Sequence, residues 1–233
     1  GEYQVKSHYS DVEVDLNNIK TASDLEIAAE LFKEVANIMS EKCEELCNMD
    51  AYMGDGDLGL TMKKGFGSLE DIFKEIEEEN IGKYLMKAGL KMASKVPSTM
   101  GTLMSSGIMS GGKALVGKVE IGPKEYAEYL VAFANGIEKR GKCKVGDRTI
   151  LDAISIAANN AKEAANSGKS LEETAKAALI GAREGLERTK DMEPKYGKAL
   201  VHIAKAKGVV DQGAYAGELM ILGYYNFISK NNN

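Results

Sequence analysis

The chain has 233 residues, 44% hydrophobic and 28% charged, a balance that supports a sizeable buried core. Thirty Lys and Arg against 35 Asp and Glu leave a net charge of −5, which argues against nucleic acid as a partner. No apolar run approaches the roughly 18 residues of a membrane span, no secretory leader opens the chain, and 3 cysteines with 2 histidines suit neither a disulfide scaffold nor a zinc centre. Reduced thiols in a cytoplasmic protein are the expectation.

Helical patterning runs through almost the whole chain. Ser23-Asp24-Leu25-Glu26 reads as a capping box, in which the serine oxygen and the glutamate carboxylate each satisfy an orphan backbone donor. It opens a run with Leu25, Phe32, Val35, Met39 and Leu46 at helical spacing, ending near Cys47. A glycine-broken segment follows, and helices are predicted over 62–79, 81–94 and 99–116, the last set off by Pro97. Pro123 stands at a helix start, where its missing N–H costs nothing, and that helix runs to about Lys139. After a loop over 141–146, Asp147 is a candidate N-cap for a helix to about Asn166. Ser170-Leu171-Glu172-Glu173 is a second capping box, for a helix to about Arg188. Pro194 opens a stretch to Lys207, and the last helix covers about 214–228 with Asp211 as its N-cap.

Val12-Glu13-Val14-Asp15 is the single strand candidate. The implied fold class is all-α: a single-domain barrel or bundle of about eight antiparallel helices over 23–230, after an N-terminal extension over 1–22.

The segment Asn48 to Met62 holds the most chemistry. Asp50, Asp55 and Asp57 lie within eight residues, among Gly54, Gly56 and Gly59 and between two helices. Three carboxylates this close repel one another, and a hard cation is the usual remedy; Mg²⁺ takes carboxylate oxygens and leaves positions for water and phosphates. The glycines let the backbone turn sharply and let an anion approach the next helix start. A solvated Asp/Gly turn explains the same composition, so both readings stand on the residues alone. An EF-hand fails, because the twelfth position counted from Asp55 is Phe66.

Gly107 to Lys113 has the spacing of a phosphate loop, but Ala114 replaces the Ser or Thr and no strand precedes it, so close helix packing is the better account. Arg140 to Thr149 reads as a capped helix start with solvated basic residues, and Gly208 to Ala214 as a turn.

Taken in order, these segments resemble the nucleotide-binding L subunit of dihydroxyacetone kinases. The family shares an Asp followed by a Gly-flanked Asp-x-Asp, here Asp50, Asp55 and Asp57 in GDGDLGLTM. It shares RGK followed by GDKT, here Arg140 to Ile150, and a DPGA turn before the last helix, here Asp211-Gln212-Gly213-Ala214. The resemblance covers roughly residues 25–228.

The resemblance implies a helical barrel holding ADP or ATP through Mg²⁺, two ions in all. Asp50, Asp55 and Asp57 would ligate the metals, and Leu58, Gly59, Leu60 and Thr61 would meet the phosphates at a helix start. Thr99, Met100 and Lys198 would also fall on the phosphate side. Gly141 and Ile150 would line the adenine and ribose pocket, with Asp211, Gln212 and Gly213 closing over the nucleotide. The ketone would sit on a separate K-type subunit, so this chain would act as a phosphotransferase only with that partner, with a phosphocarrier protein as a second possible partner; no residue stands out as a catalytic base. Two other readings are a non-catalytic nucleotide-sensing subunit and a relative that phosphorylates a protein-bound carboxylate or fatty acid.

The family's Gly-Gly-Ala-Ser lid is replaced by Pro97-Ser98-Thr99-Met100, its phosphate-facing Arg by Lys198, and the Pro of DPGA by Gln212. Leu58 stands where many phosphotransferase-system-linked L subunits have His, whereas Gly56 and Thr61 match the ATP-dependent enzymes.

Overall fold

A computed structural model of the chain describes residues 19–20, 25–78, 80–195 and 203–231. Among these the helices are α1 (Leu25–Glu41), α2 (Cys43–Met53), α3 (Leu58–Gly67), α4 (Leu69–Glu75), α5 (Ile81–Lys95), α6 (Thr99–Ala114), α7 (Pro123–Gly141), α8 (Ile150–Asn166), α9 (Leu171–Arg188), α10 (Ile203–Ala206) and α11 (Gln212–Asn231). The expected all-α class holds. Helices adjacent in sequence pack side by side from α5 to α9, α11 packs on both α9 and α1, and α1 reaches α5 through α4. The helices therefore close a circuit around the apolar core.

That core is aromatic at its centre. Phe73 and Tyr84 stack at 4.8 Å between centroids, and the hydroxyls of Tyr129 and Tyr224 share a buried hydrogen bond of 2.8 Å. Pairing these two phenols satisfies both polar tips, at the end of rings that supply large apolar area. On α6, a Cβ at Gly107 would strike the Phe133 ring and one at Gly111 would meet Tyr129, both on α7. The phosphate-loop look-alike is thus a close-packing stripe inside a helix.

Several boundaries differ from expectation. The first helix does not run to Cys47: it breaks at Lys42 (φ −95°, ψ 5°), and α2 then carries Asp50 and ends at Met53. The helix expected over 62–79 starts earlier, at Leu58, is interrupted at Ser68 and gives way to extended backbone at Ile76. Thr149, not Asp147, caps α8: its hydroxyl accepts from Leu151 N–H at 3.1 Å, and Asp152 accepts from Thr149 N–H at 2.8 Å. The second capping box forms as expected, with Ser170 N–H to Glu173 at 3.0 Å and Glu173 N–H to the Ser170 hydroxyl at 3.1 Å.

Within 194–207 the described helix is only Ile203–Ala206. Among the described residues two short strands form without a period-two signal in the sequence: β1 (Ile19–Lys20) pairs antiparallel with β2 (Glu120–Ile121), Ile19 opposite Ile121. The Val12–Asp15 strand candidate and the Ser23–Asp24 start of the first capping box lie outside the described residues. Among the described residues no helix is long and apolar enough to cross a membrane.

Candidate functional site

The acidic segment is organised by Asp50. Standing near the end of α2, it turns Oδ2 toward the loop, where it accepts from the backbone N–H groups of Gly56, Asp57 and Leu58 at 2.9, 3.0 and 3.1 Å. Gly56 makes this possible with φ +87°, a left-handed conformation that curls the loop around the carboxylate and that a side chain would strain. Asp50 Oδ1 accepts from Gln212 Nε2 at 3.3 Å. The negative charge of Asp50 is therefore met by backbone dipoles and an amide, and the carboxylate repulsion expected from the sequence is relieved in part without an ion. Asp55 and Asp57 are exposed on the same loop.

A cleft of about 420 Å³ opens beside this loop. Its lining brings together Asp50, Asp55, Asp57, Leu58 and Thr61 with Thr99 and Met100 at the start of α6, Gly141 and Ile150 flanking the α7–α8 loop, and Asp211, Gln212 and Gly213 at the start of α11. With Pro194 and Lys195, which also line it, five segments far apart in sequence converge on one space. Two singled-out residues do not line it. Gly59 is buried against α2, where a Cβ would collide with the Cys43 carbonyl oxygen, and the Leu60 side chain is 60% exposed on the outer surface. The α3 start is also less open than the sequence implies, since Leu58 N–H goes to Asp50 and Thr61 N–H to the Asp57 carbonyl at 3.0 Å. Lys198 lies outside the described residues.

The opposite wall contains residues that sequence reasoning did not select. Ser98 caps α6 by accepting from Gly101 N–H at 3.1 Å. Arg148, expected to be solvated, is buried at 4% exposure in the cleft wall. Its Nη1 donates to the Thr189 carbonyl at 2.6 Å. Thr189 in turn accepts at its hydroxyl from Asp211 N–H at 2.9 Å, and Asp211 caps α11 by accepting from Ala214 N–H at 2.8 Å. Burial pushes the Asp211 carboxyl up to about 6, against the opposing pull of the Ala214 N–H and the Arg148 charge. The Thr149-Ile150-Leu151-Asp152 pattern was a readable signal for the α8 start; the burial of Arg148 had no local signal.

Among the described residues no three His, Cys, Asp or Glu side chains gather into a metal site made by protein alone. Mg²⁺ does not require one, because one or two carboxylates suffice when water and phosphate oxygens complete its octahedron. Asp55 and Asp57 both line the cleft as hard oxygen donors, and Thr61 shares that lining, so this donor set fits Mg²⁺ carried on a phosphate chain.

Residues 52–226 match the DAK2 domain. The chain belongs to the DAK2 domain family. Its relatives make it a DhaL-type protein. This DAK2 chain is 29% identical over 182 residues to the ADP-binding subunit DhaL of PEP-dependent dihydroxyacetone kinase 1 from Listeria innocua, covering 78% of this chain and 86% of that one. It is 25% identical over 178 residues to the ADP-binding subunit DhaL of the PEP-dependent dihydroxyacetone kinase of Escherichia coli K12, covering 76% and 85%. In fold it is similar to the dihydroxyacetone kinase from C. freundii solved in complex with AMP-PNP and Mg²⁺, with a TM-score of 0.64 and 23% identity over 85% of this chain. The DAK2 chain spans 33% of that longer kinase.

Proposed function

We propose that this chain is the nucleotide-holding subunit of a dihydroxyacetone-type kinase. In this reading a unit over residues 23–230 binds ADP or ATP with Mg²⁺ in the cleft, and passes a phosphoryl group to a small hydroxyketone or related sugar held by a K-type partner subunit. The observation that carries the reading is the convergence of the acidic loop and the α6, α8 and α11 starts on one cleft. The names of the relatives, ADP-binding subunits of dihydroxyacetone kinases, support it.

Asp55 and Asp57, with Asp50 behind them, would hold two Mg²⁺ ions. Bound there, the metal would neutralise phosphoryl oxygens as charge spreads in transfer, which is most of what this chemistry asks of a protein. The chain's own part is positioning. Asp50 fixes the loop through three backbone donors, so Asp55 and Asp57 are presented in a set geometry. Thr61, Thr99 and Met100 would face the phosphates, while Gly141, Ile150, Asp211, Gln212 and Gly213 would enclose the nucleoside. Apolar Met100, Leu103 and Ile150 in the wall exclude water from the bound nucleotide. The acceptor and the base that takes its hydroxyl proton would both come from the partner. The PEP-dependent relatives speak for a PEP-driven donor, whereas Gly56 and Thr61 match the ATP-dependent enzymes and Leu58 departs from the phosphotransferase-linked pattern, so the donor is either ATP or a phosphocarrier.

The test is transfer to dihydroxyacetone, supplied with ATP or with a PEP-driven phosphocarrier, in the presence and absence of a K-type subunit. Transfer that requires the K-type subunit is expected. Transfer by this chain alone, or none with any K-type partner and either donor, contradicts the reading.

A further inference from the structure

Arg148 is held in an unusual way. Its backbone is left-handed at φ 62°, a conformation that few non-glycine residues adopt and one that marks functional sites when the surroundings enforce it. The enforcing contacts are on one side of the guanidinium: Nη1 donates to the Thr189 carbonyl at 2.6 Å and to the Met192 carbonyl at 3.5 Å. Nη2 is buried and has no hydrogen-bond partner among the described residues. A buried cationic N–H without an acceptor is costly, and folded proteins rarely leave one unless a ligand supplies the partner. Here the residue lines the cleft and is more than nine-tenths buried, so its free nitrogen is already desolvated and fixed.

The surroundings narrow what that partner is. The contacts of Arg148 are to the 189–192 turn and to the charge of Asp211, and none of those named above reaches the acidic loop. A neighbouring carboxylate offsets the guanidinium charge, which weakens it as a phosphate anchor but leaves a good donor for a neutral acceptor. Ile150, two residues on, lies close to Gly213: a Cβ at Gly213 would stand 3.6 Å from Ile150 N. With the phosphates drawn to the metal-binding carboxylates, the nucleoside half faces this wall. We infer that Arg148 is a nucleoside-recognition residue, its free Nη2 donating a hydrogen bond to an acceptor on the base or ribose of the bound nucleotide. This rests on the nucleotide reading proposed above.

The experiment compares Mg²⁺–ADP with Mg²⁺–tripolyphosphate, which lacks a nucleoside, by calorimetry on wild type and on Arg148→Lys, a variant that keeps the charge and a donor to Thr189 but has no second nitrogen. Loss of a charged hydrogen bond is expected to weaken ADP binding by about tenfold or more. Tripolyphosphate binding should be unchanged. In wild type, the guanidinium nitrogen resonances of Arg148 followed by NMR should shift with Mg²⁺–ADP and stay in place with Mg²⁺–tripolyphosphate, a readout that does not depend on a variant folding. Unchanged ADP affinity, equal weakening of both ligands, or an Arg148 resonance that ignores ADP would each overturn the inference. If wild type binds no Mg²⁺–ADP at all, the underlying nucleotide reading fails instead, and the two failures are distinct.

Discussion

Gln212 Nε2 donates to Asp50 Oδ1 at 3.3 Å, joining the first turn of α11 to the acidic loop across 162 positions of sequence. The other oxygen of Asp50 holds the loop itself, so one carboxylate ties together two sides of the cleft. The pattern of the family places Pro where this chain has Gln212, so the cross-cleft tie is a feature of this chain's departure from that pattern.

Asp50→Ala removes an acceptor for three backbone N–H groups. Hydrogen bonds to a charged group are the strong class, and the substitution is expected to cost about 2–3 kcal/mol. Gln212→Ala gives up only one long bond and should cost less than about 1 kcal/mol. Denaturant unfolding of the two variants measures this ordering, and equal costs would show that the loop does not depend on Asp50.

Gly59→Ala puts a methyl group into the Cys43 carbonyl oxygen, backbone that cannot move aside without separating α3 from α2. Overpacking of this kind is expected to cost about 2–3 kcal/mol. At Gly67, in the same helix, a Cβ meets nothing within 4 Å, and no positive φ stands in the way. Gly67→Ala should therefore stabilise by about 0.5–1 kcal/mol, through helix propensity. Thermal melts of the pair test whether the α2–α3 contact is as tight as described.

Much of the fold was legible because its signals are local. Pro123, the Ser170–Glu173 box and Asp211 each mark a helix end with residues only a few positions apart, and all three do so in the structure. The break at Lys42 was not legible, since the apolar spacing continues through it from α1 into α2 and the interruption is confined to the backbone of one residue. At the site, the glycine-bearing segments could be picked out one by one. Their meeting depends on contacts such as Asp50 with Gln212, which no window of sequence contains. Arg148 shows the same limit: beside Lys142 and Lys144 it reads as one more solvated cation, and its burial is set by the Thr189 and Met192 carbonyls 41 and 44 positions away.

Burial lifts the Asp211 carboxyl from its ordinary 3.8 to about 6. The native state therefore binds this proton more tightly than the unfolded chain does. The stability contributed by protonation is complete below pH about 4 and is lost as pH rises through about 6. Asp211→Asn is uncharged throughout and keeps a side-chain oxygen for the Ala214 N–H, because Asn caps as well as Asp. The stability of wild type relative to Asp211→Asn should fall by about 2 kcal/mol between pH 4 and 7, then level off. Melting temperatures of both proteins across that range check it; a difference independent of pH would place the carboxyl near its ordinary value.

The most direct measurement is calorimetric titration of ADP, with and without Mg²⁺, into wild type, into Asp55→Asn/Asp57→Asn, and into Lys113→Ala as a control at the exposed end of α6. The account predicts Mg²⁺-dependent binding to wild type, loss of at least about tenfold in affinity when the two loop carboxylates are neutralised, and little change in the control. No binding to wild type, binding indifferent to Mg²⁺, or a double variant that binds as tightly as wild type would contradict it.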